Sequence, residues 1–328
     1  MVNLGFWKTL KKPILVMAPM ADVTDPAFRR VIAKYGKPDV LWTEFVSADG
    51  LILADEVGKK KLKKDLEFTE GERPIVAQFF SAKPELMKKA AELARELGFD
   101  GIDINMGCPD RSIEKQGAGA GLIKNPKLAC EIILAAKEGA GDIPVSVKTR
   151  IGYNKNELES WLPELLRAEP ALITVHARTR KEMSKVPARW EMVKRAVEIR
   201  DEIKSETLIF GNGDALDVND ARTKAEESGA DGVMLGRAIF GNPWLFANLP
   251  EPVSIEEKLR VLVEHTKLFE ELLGNVKNFA VMKKHYKAYV QGFDGAKELR
   301  MRLMETENAS EVEAIIAEYL SQQTSHKA

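Results

Sequence analysis

The chain has 328 residues, 45% hydrophobic and 30% charged, a length that suits one large domain with an appendage rather than one small domain. Its 49 Lys+Arg and 50 Asp+Glu leave a formal net charge of −1, which excludes a globally basic nucleic-acid binder; any polyanion surface has to be a local patch. Two cysteines, Cys108 and Cys130, exclude a disulfide framework or a cysteine-rich metal site.

From residue 13 to about 246, short apolar runs alternate with longer amphipathic ones. The runs fall at 14–18, 40–46, 75–79, 101–106, 145–148, 172–176, 208–211 and 232–235. Between them, positions such as Leu86, Ala90, Leu93, Ala94 and Leu97 recur at helical steps. Strands alternating with helices predict a parallel sheet, and eight of them over this length predict a (β/α)8 TIM barrel. An open doubly wound sheet is the alternative. Beyond Asn248-Leu249-Pro250-Glu251-Pro252 the strand pattern stops, and 255–273, 279–290 and 310–320 read as helices. Ser254 with Glu257 predicts a capping box at the first of them. The expected division is a barrel over 1–249 and a C-terminal all-helical bundle over 250–328. No apolar run approaches the roughly 20 residues of a membrane span, and residues 1–12 lack the apolar core of a secretory signal. A cytoplasmic setting without membrane or metal is expected.

In such a barrel, chemistry collects at the C-terminal strand ends, and the loops after strands seven and eight commonly hold a phosphate. Gly211-Asn212-Gly213-Asp214 and Leu235-Gly236-Arg237-Ala238 suit that role, with small residues for close N–H approach and a guanidinium for bidentate contact. Either loop alone also reads as a tight turn. Gln78, Asn105, Lys148 and His176 fall at or near the ends of strands three to six. Singly, each has a plainer reading as a turn cap, a paired buried lysine or a core histidine. Together their burial is costly without a ligand. A flat, hydrogen-bonding ligand with a phosphate, such as flavin mononucleotide (FMN), fits them.

Cys108 sits in Asp103-Ile104-Asn105-Met106-Gly107-Cys108-Pro109, just past the fourth strand. With it, Met17-Ala18-Pro19-Met20, Thr24-Asp25-Pro26-Ala27-Phe28-Arg29, Gly117-Ala118-Gly119-Ala120, Val147-Lys148-Thr149-Arg150 and His176-Ala177-Arg178-Thr179-Arg180 follow in order. So do the two glycine loops, Gly241-Asn242-Pro243-Trp244, Lys284-His285-Tyr286 and Lys297-Glu298-Leu299-Arg300. From about residue 13 to 305 the chain resembles the tRNA-dihydrouridine synthases, FMN enzymes with a barrel and a helical tail.

The resemblance implies reduction of the C5–C6 bond of a tRNA uridine. NADPH (or NADH) reduces the flavin, hydride passes to C6, and Cys108 gives the proton to C5. It also implies that Ala18, Pro19 and Met20 pack the flavin ring and that Gln78, Lys148 and His176 contact the ring or ribityl chain. Asn105 is expected to touch flavin and uracil. Asn212, Gly213 and Asp214 are expected at the phosphate with Gly236 and Arg237. A thiol of ordinary pKa, near 8.5, is still protonated at neutral pH, as an acid at C5 has to be. Cys130, on an apparent helix face, reads as a small buried hydrophobe. Arg178 and Arg180 are candidate RNA contacts.

The tail supplies a local basic patch, in which Lys283, Lys284, Lys287, Lys297 and Arg300 are opposed only by Asp294 and Glu298. Lys283, Lys284 and Lys287 share a helix face, with Tyr286 and Tyr289 nearby. A salt-dependent tRNA contact is expected there, on a monomeric protein. The chain departs from the family's pattern at Phe79-Phe80-Ser81 and in the loop 181–190, both near the mouth. A synthase acting on a different RNA, or an FMN reductase of a free pyrimidine or other small molecule, is therefore the alternative reading.

Overall fold

The computed structural model describes residues 2–247 and 249–325; Asn248, at the expected end of the barrel pattern, and 326–328 of the expected tail lie outside them. The first half runs β1 (Ile14–Met17), α1 (Pro26–Tyr35), β2 (Leu41–Ser47), α2 (Ala48–Leu53), α3 (Glu56–Asp65), β3 (Ile75–Phe80), α4 (Pro84–Glu96) and β4 (Gly101–Met106). It continues through α5 (Arg111–Lys115), α6 (Pro126–Ala140), β5 (Val145–Arg150), α7 (Leu158–Arg167) and β6 (Leu172–His176). Then come α8 (Trp190–Glu202), β7 (Leu208–Asn212), α9 (Val218–Ser228) and β8 (Gly232–Leu235). The tail is α10 (Ile255–Leu273), α11 (Ala280–Tyr289), α12 (Ala296–Met304) and α13 (Ala309–Ser325).

The strands are parallel in the order β1-β8-β7-β6-β5-β4-β3-β2. A bridge between Val16 and Val40 joins the two ends of that order, so the sheet closes into the (β/α)8 barrel. Being covered on both faces, its strands are buried along nearly their whole length, as in β1 and β3. Trp7, in the turn before β1, packs its ring 5.8 Å from Trp42 and edge-on 5.7 Å from Phe210, plugging the barrel floor.

Within the barrel a polar layer lies below the mouth. Asp103 accepts from Gln78 and Ser146, and burial pushes its carboxyl up to about 6. Part of the family motif is scaffold. Asp25 caps α1 by accepting from the Phe28 N–H at 2.9 Å, Pro26 takes the first turn, and fully buried Arg29 pairs with Glu72 at 2.8 Å.

The sequence reading missed α12, which starts directly after a Gly292–Gly295 turn, and α2 and α3 between the second and third strands. Ser254 does cap α10 through the Glu257 N–H, at 3.1 Å. The tail helices share one apolar core with Ala27 and Val31 of α1 and with Trp244, so they are packed onto the barrel. The contact is close. A Cβ on Gly241 (φ +68°) would lie 2.1 Å from the Ala288 carbonyl oxygen of α11, which explains the glycine ahead of Asn242-Pro243-Trp244.

Candidate functional site

The C-terminal strand ends surround a cavity of about 580 Å³. Ala18, Pro19 and Met20 line it after β1, Asn105 from β4 and Cys108 just after it, Lys148 and Arg150 from β5, and His176 from β6. Asn212, Gly213 and Asp214 after β7 meet Gly236 and Arg237 after β8. Register explains the convergence. Asn105 is paired with Lys148, and one step further along the same face of β5 Arg150 is paired with His176 and His176 with Asn212, placing side chains from four strands at two successive levels of the mouth.

Cys108 is half-buried, and its loop is fixed from several directions. The Asn105 side-chain oxygen accepts from the backbone N–H of Cys108 at 2.8 Å and of Gly107 at 3.1 Å. Arg150 donates to the Gly107 carbonyl at 2.7 Å, and Arg180 binds Glu114 of α5 and reaches the Pro109 carbonyl at 3.4 Å. Burial raises the thiol above its ordinary pKa, against smaller opposing effects of the Asp110 N–H, Lys148 and Arg150. The group is an uncharged donor at neutral pH, unlike a nucleophilic thiolate.

The floor of the cavity is cationic. Burial, with Arg150 adding repulsion, brings the Lys148 ammonium down to about 8, and it carries no hydrogen bond or ion pair among the described residues. His176 is held well below its ordinary pKa by burial, then by Arg150, Lys148 and Arg178. It is neutral, and because Arg178 can only donate, the Nε2 atom 3.1 Å from that guanidinium is the acceptor and the ring proton sits on Nδ1. Gly213 has φ +126°, and a Cβ there would lie 2.8 Å from Ala188 Cβ, so only glycine fits that turn.

Four expected site residues have other positions or partners than expected. Gln78 is fully buried behind the wall, accepting from Asn105 at 3.0 Å while donating to Asp103, so it orients Asn105 rather than lining the cavity. Arg178 lines the cavity but is buried and bound to Asp214, His176 and the Val186 carbonyl. Arg180 is spent on Glu114, beside the Tyr153 ring. Neither arginine presents a free guanidinium to an RNA. The Asp214 carboxylate, held below its usual range chiefly by Arg178, accepts from Arg178, Arg237 and the Ala188 N–H; it orients cations, since a carboxylate has no proton to offer a phosphate.

Arg150 was the functional residue that sequence reasoning passed over. Its signal was available, because it lies two residues beyond Lys148 on the same face of β5. Glu114 had no such signal, since it acts only through a contact 66 residues away. Cys130 lies apart on α6, its thiol donating to the Glu164 carbonyl at 3.0 Å.

On the tail, a groove between α11 and α12 is lined by Lys283, Lys284, Lys287, Lys297 and Arg300, with Met301 at its wall. Lys284 and Lys287 are exposed and Lys283 half-buried, while Arg300 donates to the Val290 carbonyl at 2.6 Å. Tyr286 and Tyr289 do not join this face. Both are buried in the tail core, because they fall on the side of α11 turned to α10 and α1. Among the described residues no helix is long and apolar enough to cross a membrane, and no cluster of three or more acidic, His or Cys side chains is arranged to hold a metal ion.

The barrel resembles solved enzyme barrels only at the level of fold. Morphinone reductase aligns with a TM-score of 0.53 at 15% identity, over 76% of this chain and 90% of that one. The 6-hydroxypseudooxynicotine amine oxidase of Pseudomonas geniculata N1 aligns with a TM-score of 0.55 at 12% identity, over 80% and 53%. Sequence relatives are far nearer. A probable tRNA-dihydrouridine synthase 2 of Bacillus subtilis is 42% identical over 317 residues, 96% of each chain. A probable tRNA-dihydrouridine synthase of Staphylococcus aureus is 41% identical over 97% of this chain and 96% of its own. The family model for dihydrouridine synthase matches residues 16–325, from the first barrel strand through the last tail helix. The chain belongs to the dihydrouridine synthase family.

Proposed function

We propose that the protein reduces the C5–C6 double bond of a uridine in tRNA, with FMN in the barrel mouth and NADPH as the source of electrons. The residues present suit that cofactor. A cavity of 580 Å³ falls within the roughly 300–1,000 Å³ typical of ligand sites. Lys148, a desolvated ammonium without a hydrogen-bond partner, suits the electron-rich edge of a flavin, and Gly213, Gly236 and Arg237 suit its phosphate. When bound, FMN supplies the hydride that reduces uracil at C6.

The chain's own part is to hold a proton and place it. Adding hydride at C6 leaves an enolate-like carbanion at C5, and the Cys108 thiol donates its proton to that carbon. The raised thiol pKa keeps the proton present at neutral pH. Asn105 fixes the thiol's loop through two backbone N–H groups and lines the cavity, where its position suits contact with the base. The basic groove of α11 and α12 suits the phosphate backbone of the folded RNA, so barrel 1–249 carries the chemistry and tail 250–328 the docking. The observation that carries this reading is a half-buried cysteine sharing the cavity with an unpartnered lysine at the mouth of a barrel of this family.

The test is to map dihydrouridine in RNA from cells with the wild-type gene, without it, and with Cys108→Ala. Wild type is expected to restore dihydrouridine at defined tRNA positions. Cys108→Ala is expected to purify yellow yet lose about 10²-fold or more of the reduction rate. Full turnover by Cys108→Ala would remove the acid assignment, and RNA unchanged by deletion of the gene would remove the reading as a whole.

A further inference from the structure

α3 is an unusual helix for a protein of net charge −1. Five of its ten residues are lysines: Lys59, Lys60, Lys61, Lys63 and Lys64. None of its residues is fully buried and Leu62 alone packs against the barrel core, so packing does not call for the five lysines. Lys59 and Lys64 are paired with Glu56 and Glu67. Lys60, Lys61 and Lys63 are exposed, and their side chains have no hydrogen bond or ion pair among the described residues. Their spacing spreads them over about 160° of the helix circumference at 3.6 residues per turn. Lys60 and Lys63 stand three apart and Lys59 and Lys63 four apart, spacings at which like charges work against the helix. Exposed Val57 lies on the same arc.

The position of α3 gives this charge a partner. Asp65, the last residue of α3, is ion-paired at 2.8 Å with Lys277, in the turn between α10 and α11. The same ammonium lies 2.8 Å from Glu44, whose other oxygen accepts the Asp22 N–H at 2.7 Å. Lys284 of α11 is 3.7 Å from the Asp22 carboxylate. Met20 and Phe45, close in sequence to Asp22 and Glu44, line the catalytic cavity. One ion-pair cluster thus ties α3, the α11 end of the basic groove and the cavity rim together.

We propose that α3 is a second RNA contact, carried by the barrel itself. Lys60, Lys61 and Lys63 bind the phosphate backbone of the same folded RNA that lies on the α11–α12 groove. The RNA is thereby held on two sides of the rim, with one anchor on each part of the chain. This rests on the reading of the protein as an RNA-directed reductase. It adds a binding surface outside both the cavity and the tail.

The test measures binding of a tRNA transcript to full-length, flavin-loaded protein as a function of salt. It compares wild type with Lys60→Glu/Lys61→Glu/Lys63→Glu, with the same three positions changed to Arg, and with a control, Lys8→Glu/Lys11→Glu/Lys194→Glu. The control applies the same change in net charge at exposed lysines elsewhere. The α3 Glu variant is expected to bind at least about tenfold more weakly, with a log–log salt slope shallower by about 2, and to keep its flavin. The Arg variant and the control are expected to stay within about twofold of wild type. Unchanged affinity and slope in the α3 Glu variant, or an equal loss in the control, would overturn the proposal. So would loss of binding to vesicles of phosphatidylglycerol and phosphatidylethanolamine with tRNA affinity intact. If wild type makes no dihydrouridine while the α3 variant still binds tRNA more weakly, the contact stands and the reductase reading fails.

Discussion

At the barrel mouth, the guanidinium groups of Arg150, Arg178 and Arg180 are taken up by bonds to the protein itself. Arg150 holds the Gly107, Thr179 and Met183 carbonyls, Arg178 holds Asp214, His176 and the Val186 carbonyl, and Arg180 holds Glu114. On the tail, Lys284 and Lys287 extend into solvent from α11, with only a 3.7 Å approach of Lys284 to Asp22. The two regions carry the same sign of charge and use it differently. A planar, multiply donating guanidinium is suited to fixing several carbonyls at once, which is what a cysteine loop and a histidine tautomer need. A flexible, strongly hydrated ammonium has no such fixed geometry and adapts to a phosphate backbone. Positive charge near a substrate is therefore not in itself a sign of substrate contact.

The contrast breaks most visibly at Arg178. Arg178→Ala removes a buried donor to Asp214, His176 and Val186, and is expected to cost about 2–4 kcal/mol of stability. Denaturant titration of the purified protein checks this; a loss below about 0.5 kcal/mol would mean the guanidinium is not structural. Reversing Lys283, Lys284 and Lys287 to Glu is expected to leave the melting curve and flavin content nearly unchanged and to weaken tRNA binding about tenfold or more at low salt. Equal tRNA affinity would place the tail's RNA surface elsewhere. Arg237 stands between the two classes, because it pairs with Asp214 yet is 67% exposed. Arg237→Ala is expected to cost less than about 1 kcal/mol of stability while weakening FMN retention roughly tenfold. Tight FMN retention by that variant, measured by dialysis and absorbance, would move the phosphate to the backbone amides of the glycine loops.

Much of this architecture was legible from local pattern. Seven of the eight strands start where their apolar runs start, because a strand buried on both faces has to be apolar along its length. Strand ends were less clear. The polar Lys148 looked like the end of β5, but the strand continues to Arg150 because the mouth-facing side of a barrel strand tolerates charge. α3 was passed over because its lysines carry no apolar period, and a helix that packs only Leu62 against the core leaves no such signature. The Cys108 motif and both glycine loops were also legible, since close backbone approach restricts which residues fit.

The amino-acid sequence by itself determined the barrel, the family, and most of the residues that gather at the mouth. Each of these follows from short-range pattern and strand order, which a linear chain displays directly. Tertiary structure alone decided which of those residues face the cavity and which brace it. It bound Arg178 and Arg180 to carboxylates, set Gln78 behind Asn105, gave Asp214 to two arginines, and buried Tyr286 and Tyr289 under the basic face. It also joined Asp65 of α3 to Lys277 of the tail. The physical reason is that a polar side chain's role is set by the partners within hydrogen-bond reach, and here many of those partners lie tens to hundreds of residues away in the chain.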